Sequence, residues 1–207
     1  MEQYLLAQLS SFFPDGEPNS FGGSINAAFA RLERCMRGLK VPRFYPNDSL
    51  YFDHLDSEQI AIFIYFLSNE CAKRSDALRR TATKLYLLNK LLHGLEAFYE
   101  IELPEVFYLA HPVGTVLGKA KYGNKIAIMQ GCTIGNVDGK YPVFGENIVL
   151  CAHSILLGQC IVGDNVCFGA GAMLLNQTVP SCSTVVGRGV GLKVLPGENG
   201  LAGEFFV

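Results

Sequence analysis

Four histidines and seven cysteines are the side chains of this 207-residue chain best suited to chemistry at neutral pH. An imidazole titrates near neutrality, so a positioned histidine can take a proton from a hydroxyl and return it to a leaving group. His54 and His93 fall in stretches of helical pattern and read as structural or surface residues. His111 and His153 fall in a glycine-rich second half. From position alone, His111 reads as a turn residue capping the start of that half or as a base, and His153 is its rival. The cysteines are odd in number, contain no CxxC pair and lack metal-ligand spacing, so reduced, packed thiols and no bound metal are the expectation. No phosphate-cradling glycine loop of the P-loop or dinucleotide-binding kind occurs, and Gly169-Ala170-Gly171 is explained by corners of the chain.

Those residues need a frame, and glycine locates it. Only Gly16, Gly22, Gly23, Gly38 and Gly94 of the 22 glycines precede residue 101; the other 17 follow it. The expected division is a helical part over 1–100 and a β part over 101–207, an α+β architecture. Apolar spacing predicts helices over Glu2 to Phe13, Ser24 to Arg37 with Ser24 as N-cap, Asp56 through Lys73 with Asp56-Ser57-Glu58-Gln59 as cap, and Ser75 to Tyr99. Breakers at Pro14-Asp15-Gly16, Pro42 and Pro46-Asn47-Asp48 separate them.

The second half repeats every six residues. Phe144, Leu150, Leu156, Val162, Phe168 and Leu174 are all apolar, and the fifth residue of each block (Ile148, Ser154, Cys160, Val166, Ala172, Thr178) is small or β-branched. The same step runs upstream through Val116, Tyr122, Ile128 and Ile134. It slips by four residues before Phe144. Three hexads make one coil of a triangular parallel β-helix, with the apolar position inside and small residues at the corners. The slip must leave the prism as a loop over Asn136 to Tyr141, and loops carry function.

This pattern resembles the hexapeptide-repeat acyltransferases, whose fold is a left-handed parallel β-helix, and within them the serine acetyltransferases. His111-Pro-Val-Gly-Thr-Val-Leu-Gly resembles the segment with that family's catalytic histidine. Met129-Gln-Gly-Cys-Thr-Ile-Gly resembles its next coil, and Gly145 through Ala172 its later ones. The resemblance spans about residues 85 to 187. It implies that His111 is the general base for acyl transfer from acetyl-CoA to a hydroxyl, with backbone N–H groups of a neighbouring coil holding the oxyanion. It implies a coenzyme site at Asn136, Ala152 and Ala170, with Arg188 and Lys193 meeting the phosphates. It implies a homotrimer with shared sites, and allows a hexamer.

Two departures bear on the acceptor. The family's aspartate before the histidine is Ala110 here, and its Arg-His-Pro segment is Lys140-Tyr141-Pro142. These point to a hydroxyl of a sugar or polysaccharide precursor, with serine O-acetylation and a non-catalytic β-helix scaffold as alternatives. Lys140, Tyr141, Asp138 and Glu105 are the candidate acceptor contacts. Glu102, Glu105, Asp138 or a backbone carbonyl is the expected partner of His111.

Composition narrows the class further. With 17 Lys+Arg, 19 Asp+Glu and a net charge of −2, the chain lacks the basic field of a nucleic-acid binder. It is 49% hydrophobic and 17% charged, which excludes disorder. Its longest apolar stretch, Gln59 to Ser68, is about half the roughly 20 residues that span a membrane. The start, with Glu2 and no basic segment, is a poor secretory signal. A cytoplasmic location is the expectation.

Overall fold

The computed structural model describes residues 1–197 and 200–207. Four helices come first: α1 (Glu2–Phe12), α2 (Ser24–Arg37), α3 (Ser57–Arg74) and α4 (Arg79–His93). Asp56 caps α3 as its sequence demands, its carboxylate accepting the N–H groups of Glu58 and Gln59 at 3.0 and 3.1 Å. At α2 the expectation needs correction. Gly23, at φ +80°, is the cap, and Ser24 is the first helical residue. The helix predicted over Ser75 to Tyr99 is also shorter. Gly94 stops α4 in the left-handed conformation at φ +61°, where it alone has no Cβ penalty. The chain beyond it enters the β part as β1 (Glu96–Ala97).

The β part is a parallel solenoid of about five turns with three walls. The first wall stacks β1, β3 (Val116–Leu117), β5 (Thr133–Gly135), β8 (Ile155–Leu157) and β11 (Met173–Leu175). The second stacks β2 (Phe107–Ala110), β4 (Ile126–Met129), β7 (Ile148–Leu150), β10 (Val166–Phe168) and β13 (Ser183–Val186). β14 (Lys193–Pro196) closes that wall antiparallel to β13. The third stacks β6 (Val143–Phe144), β9 (Ile161–Val162) and β12 (Thr178–Val179). A short helix, α5 (Ala202–Phe205), returns to the helical half, where Lys40 N–H donates to the Phe205 carbonyl at 2.8 Å.

The repeat sets this register. Val149 lies opposite Cys167 and Val143 opposite Ile161, so one coil takes 18 residues, or three hexads. Ile126 lies opposite Ile148 and Thr133 opposite Ile155, a spacing of 22. The four extra residues are the predicted slip. They leave as a loop whose Val137 and Lys140 exchange both backbone hydrogen bonds at 3.0 Å. Asp138 and Gly139, at φ +52° and +75°, make its tip.

Inside the prism, each wall contributes one column. Leu150 and Phe168, Leu156 and Leu174, and Phe144 and Val162 are all buried, as the hexads require. Cys132 and Cys160 fill small inward places and are fully buried. The first coil differs from the sequence reading: Leu117 points inward rather than Val116. Leu117 and the next inward residue, Tyr122, are five residues apart rather than six, which displaces the step there.

α3 lies along the second wall. The Phe66 and Phe107 rings stand 5.4 Å apart edge to face, and those of Tyr65 and Phe107 5.7 Å apart. Seven residues of helix from Tyr65 back to Glu58 span about 10 Å, and four residues of strand from Phe107 to His111 about 13 Å. Docking the aromatic end of α3 on Phe107 therefore brings its N-terminus to the corner after β2.

The inward column makes a stability prediction. Phe168→Ala removes a fully buried ring between stacked coils and should cost about 3–5 kcal/mol, read by denaturant unfolding. Val190→Ala, at a fully exposed turn, should change the same measurement little.

Candidate functional site

Each wall-to-wall corner forms a column along the prism, and the candidate residues separate onto these columns. The column between the second and first walls begins with His111 and continues through Gln130, Ala152, Ala170 and Gly187, as the strand registers dictate. His153 and Gly171 lie beside it. The column between the first and third walls carries Asn136, Asp138, Lys140 and Tyr141. The two columns are opposite edges of the first wall.

His111 follows β2 at φ +49°. A non-glycine residue pays roughly 1–2 kcal/mol there, so its neighbours must hold it. Its N–H donates to Glu58 Oε1 at 3.1 Å, and its Nδ1 lies 3.3 Å from the same oxygen. The Glu58 side chain is 3% exposed, whereas that of His111 is 78% exposed. Glu58 Oε2 accepts hydrogen bonds from the Tyr108 hydroxyl and the Arg43 guanidinium. Arg43 also donates to Asp56 at 2.8 Å. Burial opposes the Arg43 charge, but the bonds to Asp56 and Tyr108 outweigh it and raise its pKa. Burial likewise pushes the Tyr108 hydroxyl up.

The partner of His111 is thus none of the acids expected. Glu102 accepts from Lys73 at 2.7 Å. Glu105 is paired with Arg34 at 2.7 Å, and it precedes β2 whereas His111 follows it. Glu105 therefore does not reach an acceptor beside His111. Asp138 sits at the tip of the loop on the other edge. Glu58 lay hidden in the sequence as an ordinary first-turn acid of a capped helix. Its signal was the Asp56-Ser57-Glu58 cap together with the empty slot at Ala110, and only the packing of α3 joins the two.

The remaining candidates are placed as follows. Ala152 and Ala170 lie on the His111 column, and Arg188 follows Gly187 at its far end. Lys193 is exposed on β14 opposite Val186. Four coil steps separate His111 from Gly187, about 19 Å at the spacing of parallel strands. Asn136, expected beside the coenzyme, is on the other edge of this chain. Tyr141 and Lys140 are there too, with the Lys119 ammonium 5.0 Å from the Tyr141 ring centre. His153, at φ +61°, covers Gly131, where a Cβ would strike its ring. Its N–H donates to the Gln130 carbonyl at 2.9 Å. His93 is buried against Asn89 Oδ1 at 2.7 Å, and burial lowers its pKa. Among the described residues, no three His, Cys, Asp or Glu side chains converge to hold a metal. No helix among them is long and apolar enough to cross a membrane.

On the second wall, the Cys151 and Cys167 sulfurs lie 4.0 Å apart. The hydrogen bond from Cys167 draws the Cys151 thiol down to about 7, against the opposing effect of burial. Burial pushes Cys132 up to about 11 and Cys35 up to about 12. Since the thiolate is the nucleophile, iodoacetamide at pH 7.5 should alkylate Cys151 well before Cys132 or Cys35. Its rate should fall as pH is lowered through 7. Peptide mapping by mass spectrometry checks the order, and a faster reaction at Cys132 would contradict it.

No protein-family model matches the chain. It is 32% identical over 164 residues to a serine acetyltransferase of Synechococcus elongatus, covering 77% of this chain and 62% of that one. The chain thus spans less than two thirds of the length of that relative. A serine acetyltransferase from Brucella abortus shares the fold with a TM-score of 0.65 and 20% identity, over 84% of this chain and 71% of that one. A serine acetyltransferase solved in complex with CoA superposes with a TM-score of 0.64 and 19% identity, over 93% and 75%. The chain has the left-handed hexapeptide-repeat β-helix fold of these proteins and is serine acetyltransferase-like in sequence.

Proposed function

We propose that this chain is an acetyl-CoA-dependent O-acetyltransferase and that its acceptor is the hydroxyl of L-serine. The observation that carries the activity is the His111 corner. An exposed imidazole on a rigid coil, with a buried carboxylate oxygen 3.3 Å from its Nδ1, leaves Nε2 free toward solvent. The expectation from Ala110 and Lys140-Tyr141-Pro142 is a sugar acceptor. The serine acetyltransferases that the chain resembles support serine better. The scaffold alternative leaves an exposed histidine in a strained conformation over a buried acid without a use.

The chemistry follows from that arrangement. The acceptor hydroxyl attacks the thioester carbonyl of acetyl-CoA while His111 Nε2 takes its proton. The tetrahedral oxyanion collapses, the C–S bond breaks, and His111 returns the proton to the CoA thiolate. CoA would lie along the column below His111, where Ala152 and Ala170 leave room for a narrow chain and Arg188 and Lys193 can meet phosphates. No metal takes part in this scheme.

A single convex prism does not enclose a ligand, whereas a groove between two does. The proposal therefore includes a homotrimer, in which the His111 edge of one copy faces the loop edge of another with its Asn136, Asp138, Lys140 and Tyr141. That arrangement reunites the two sets of candidates that one chain separates. The exposed Ile161 and Leu175 beside the loop edge supply apolar surface for it. A hexamer through the helical half would be compatible with this arrangement. Seven free thiols suit a cytoplasmic enzyme.

Thiol release from acetyl-CoA, followed with L-serine and with a panel of hydroxylated sugars, tests the reading. Serine should give kcat/KM above about 10⁴ M⁻¹s⁻¹, with sugars far below. His111→Ala should lower kcat about 10²–10⁴-fold with little change in acetyl-CoA affinity, and His153→Ala should cost much less. An inactive His153 variant beside an active His111 variant would reverse the assignment. Sedimentation of a fully active monomer would exclude the shared site.

A further inference from the structure

The residue this structure adds to the reaction comes from the helical half. We infer that Glu58 is the positioning residue of His111: its carboxylate, fixed by Arg43 and Tyr108, holds the imidazole by Nδ1 so that Nε2 stands free as the proton acceptor. The inference rests on the reading of His111 as the base.

Geometry supports each part. Glu58 Oε1 faces His111 twice, through the N–H at 3.1 Å and Nδ1 at 3.3 Å. One oxygen therefore accepts the N–H of the left-handed residue and stands within ion-pair distance of its ring. Oε2 is occupied by Tyr108 and Arg43, so the carboxylate is held against rotation. A carboxylate with a 3% exposed side chain is costly to bury unless its lone pairs are satisfied. Here the partners satisfy them, and the α3 N-terminus adds a favourable dipole. Asp56 completes the brace by capping α3 and binding Arg43 at once.

A purely structural role explains Arg43, Tyr108 and the bond from the His111 N–H, but not the approach of the imidazole to the same oxygen. That oxygen meets no other side chain in the described residues than the solvent-exposed imidazole. When Nδ1 carries its proton toward Glu58, the neutral ring presents a lone pair at Nε2. The acid also opposes the positive charge that His111 acquires in the transition state. Among the described residues of the β-helix no acid pairs with His111, and Ala110 is the residue before it. Catalysis here therefore requires both halves of the chain.

Nitrogen-15 NMR of the full chain with labelled histidines reads the tautomer directly, with the His111 signal assigned by its loss in His111→Ala. Neutral His111 should be mainly the Nδ1–H form in the wild type and should move toward Nε2–H in Glu58→Leu. In the thiol-release assay, Glu58→Gln should lower kcat about 10²–10⁴-fold, the upper end being the loss seen when the carboxylate behind a catalytic histidine becomes an amide, with KM for acetyl-CoA unchanged. Glu58→Asp should recover part of that loss. A wild-type His111 that is mainly Nε2–H overturns the inference even if no Glu58 variant folds. So does a Glu58→Gln enzyme with wild-type kcat. A wild type that transfers no acetyl group sinks the proposed activity instead, and the tautomer still decides the placement of Glu58.

Discussion

One constraint organises this molecule: a triangular coil has room inside for one apolar side chain per wall, and each coil must lie on the one before it. The 18-residue register follows from that stacking. So does the alignment of corners into columns, which turns residues distant in sequence into neighbours along an edge. The site is a property of such a column. His111 begins it, Gln130 and then the small Ala152, Ala170 and Gly187 continue it, and cations end it about four coils away.

Much of this could be read from the sequence because the constraint repeats. Apolar Phe144, Leu150, Leu156, Phe168 and Leu174 keep step because each fills the inward place of its wall, and residues three hexads apart fill the same place in successive coils. Cys132 and Cys160 are small because the inward corner is small. The four-residue loop showed itself as a break in the step. Where the repeat is irregular, the step fails: Leu117 and Tyr122 are five residues apart, so Leu117 rather than Val116 takes the inward place. Ser24 yielded the cap to Gly23, and Gly94 cut the last helix short, because local backbone conformation outweighed apolar spacing.

Glu58 shows what periodicity does not encode. It stands more than fifty residues before His111, on an element with a different period, and nothing in either segment names the other. The connection passes through Phe66, Tyr65 and Phe107, whose packing sets α3 along the second wall and fixes how far its first turn reaches. The same ring packing that stabilises the junction thus places a carboxylate under the histidine. Lys140, Tyr141 and Asp138 present the converse case. Their loop was legible, but its edge is the far side of the wall from His111, and only a second prism would bring the two together.

The account depends most on the His111 column being where the thioester lies. A crystal structure of the chain with CoA tests this directly. The account predicts the pantetheine chain along Ala152 and Ala170, with its sulfur beside His111 and its phosphates toward Arg188 and Lys193. CoA bound on the helical half, or along a corner that does not include His111, would contradict it.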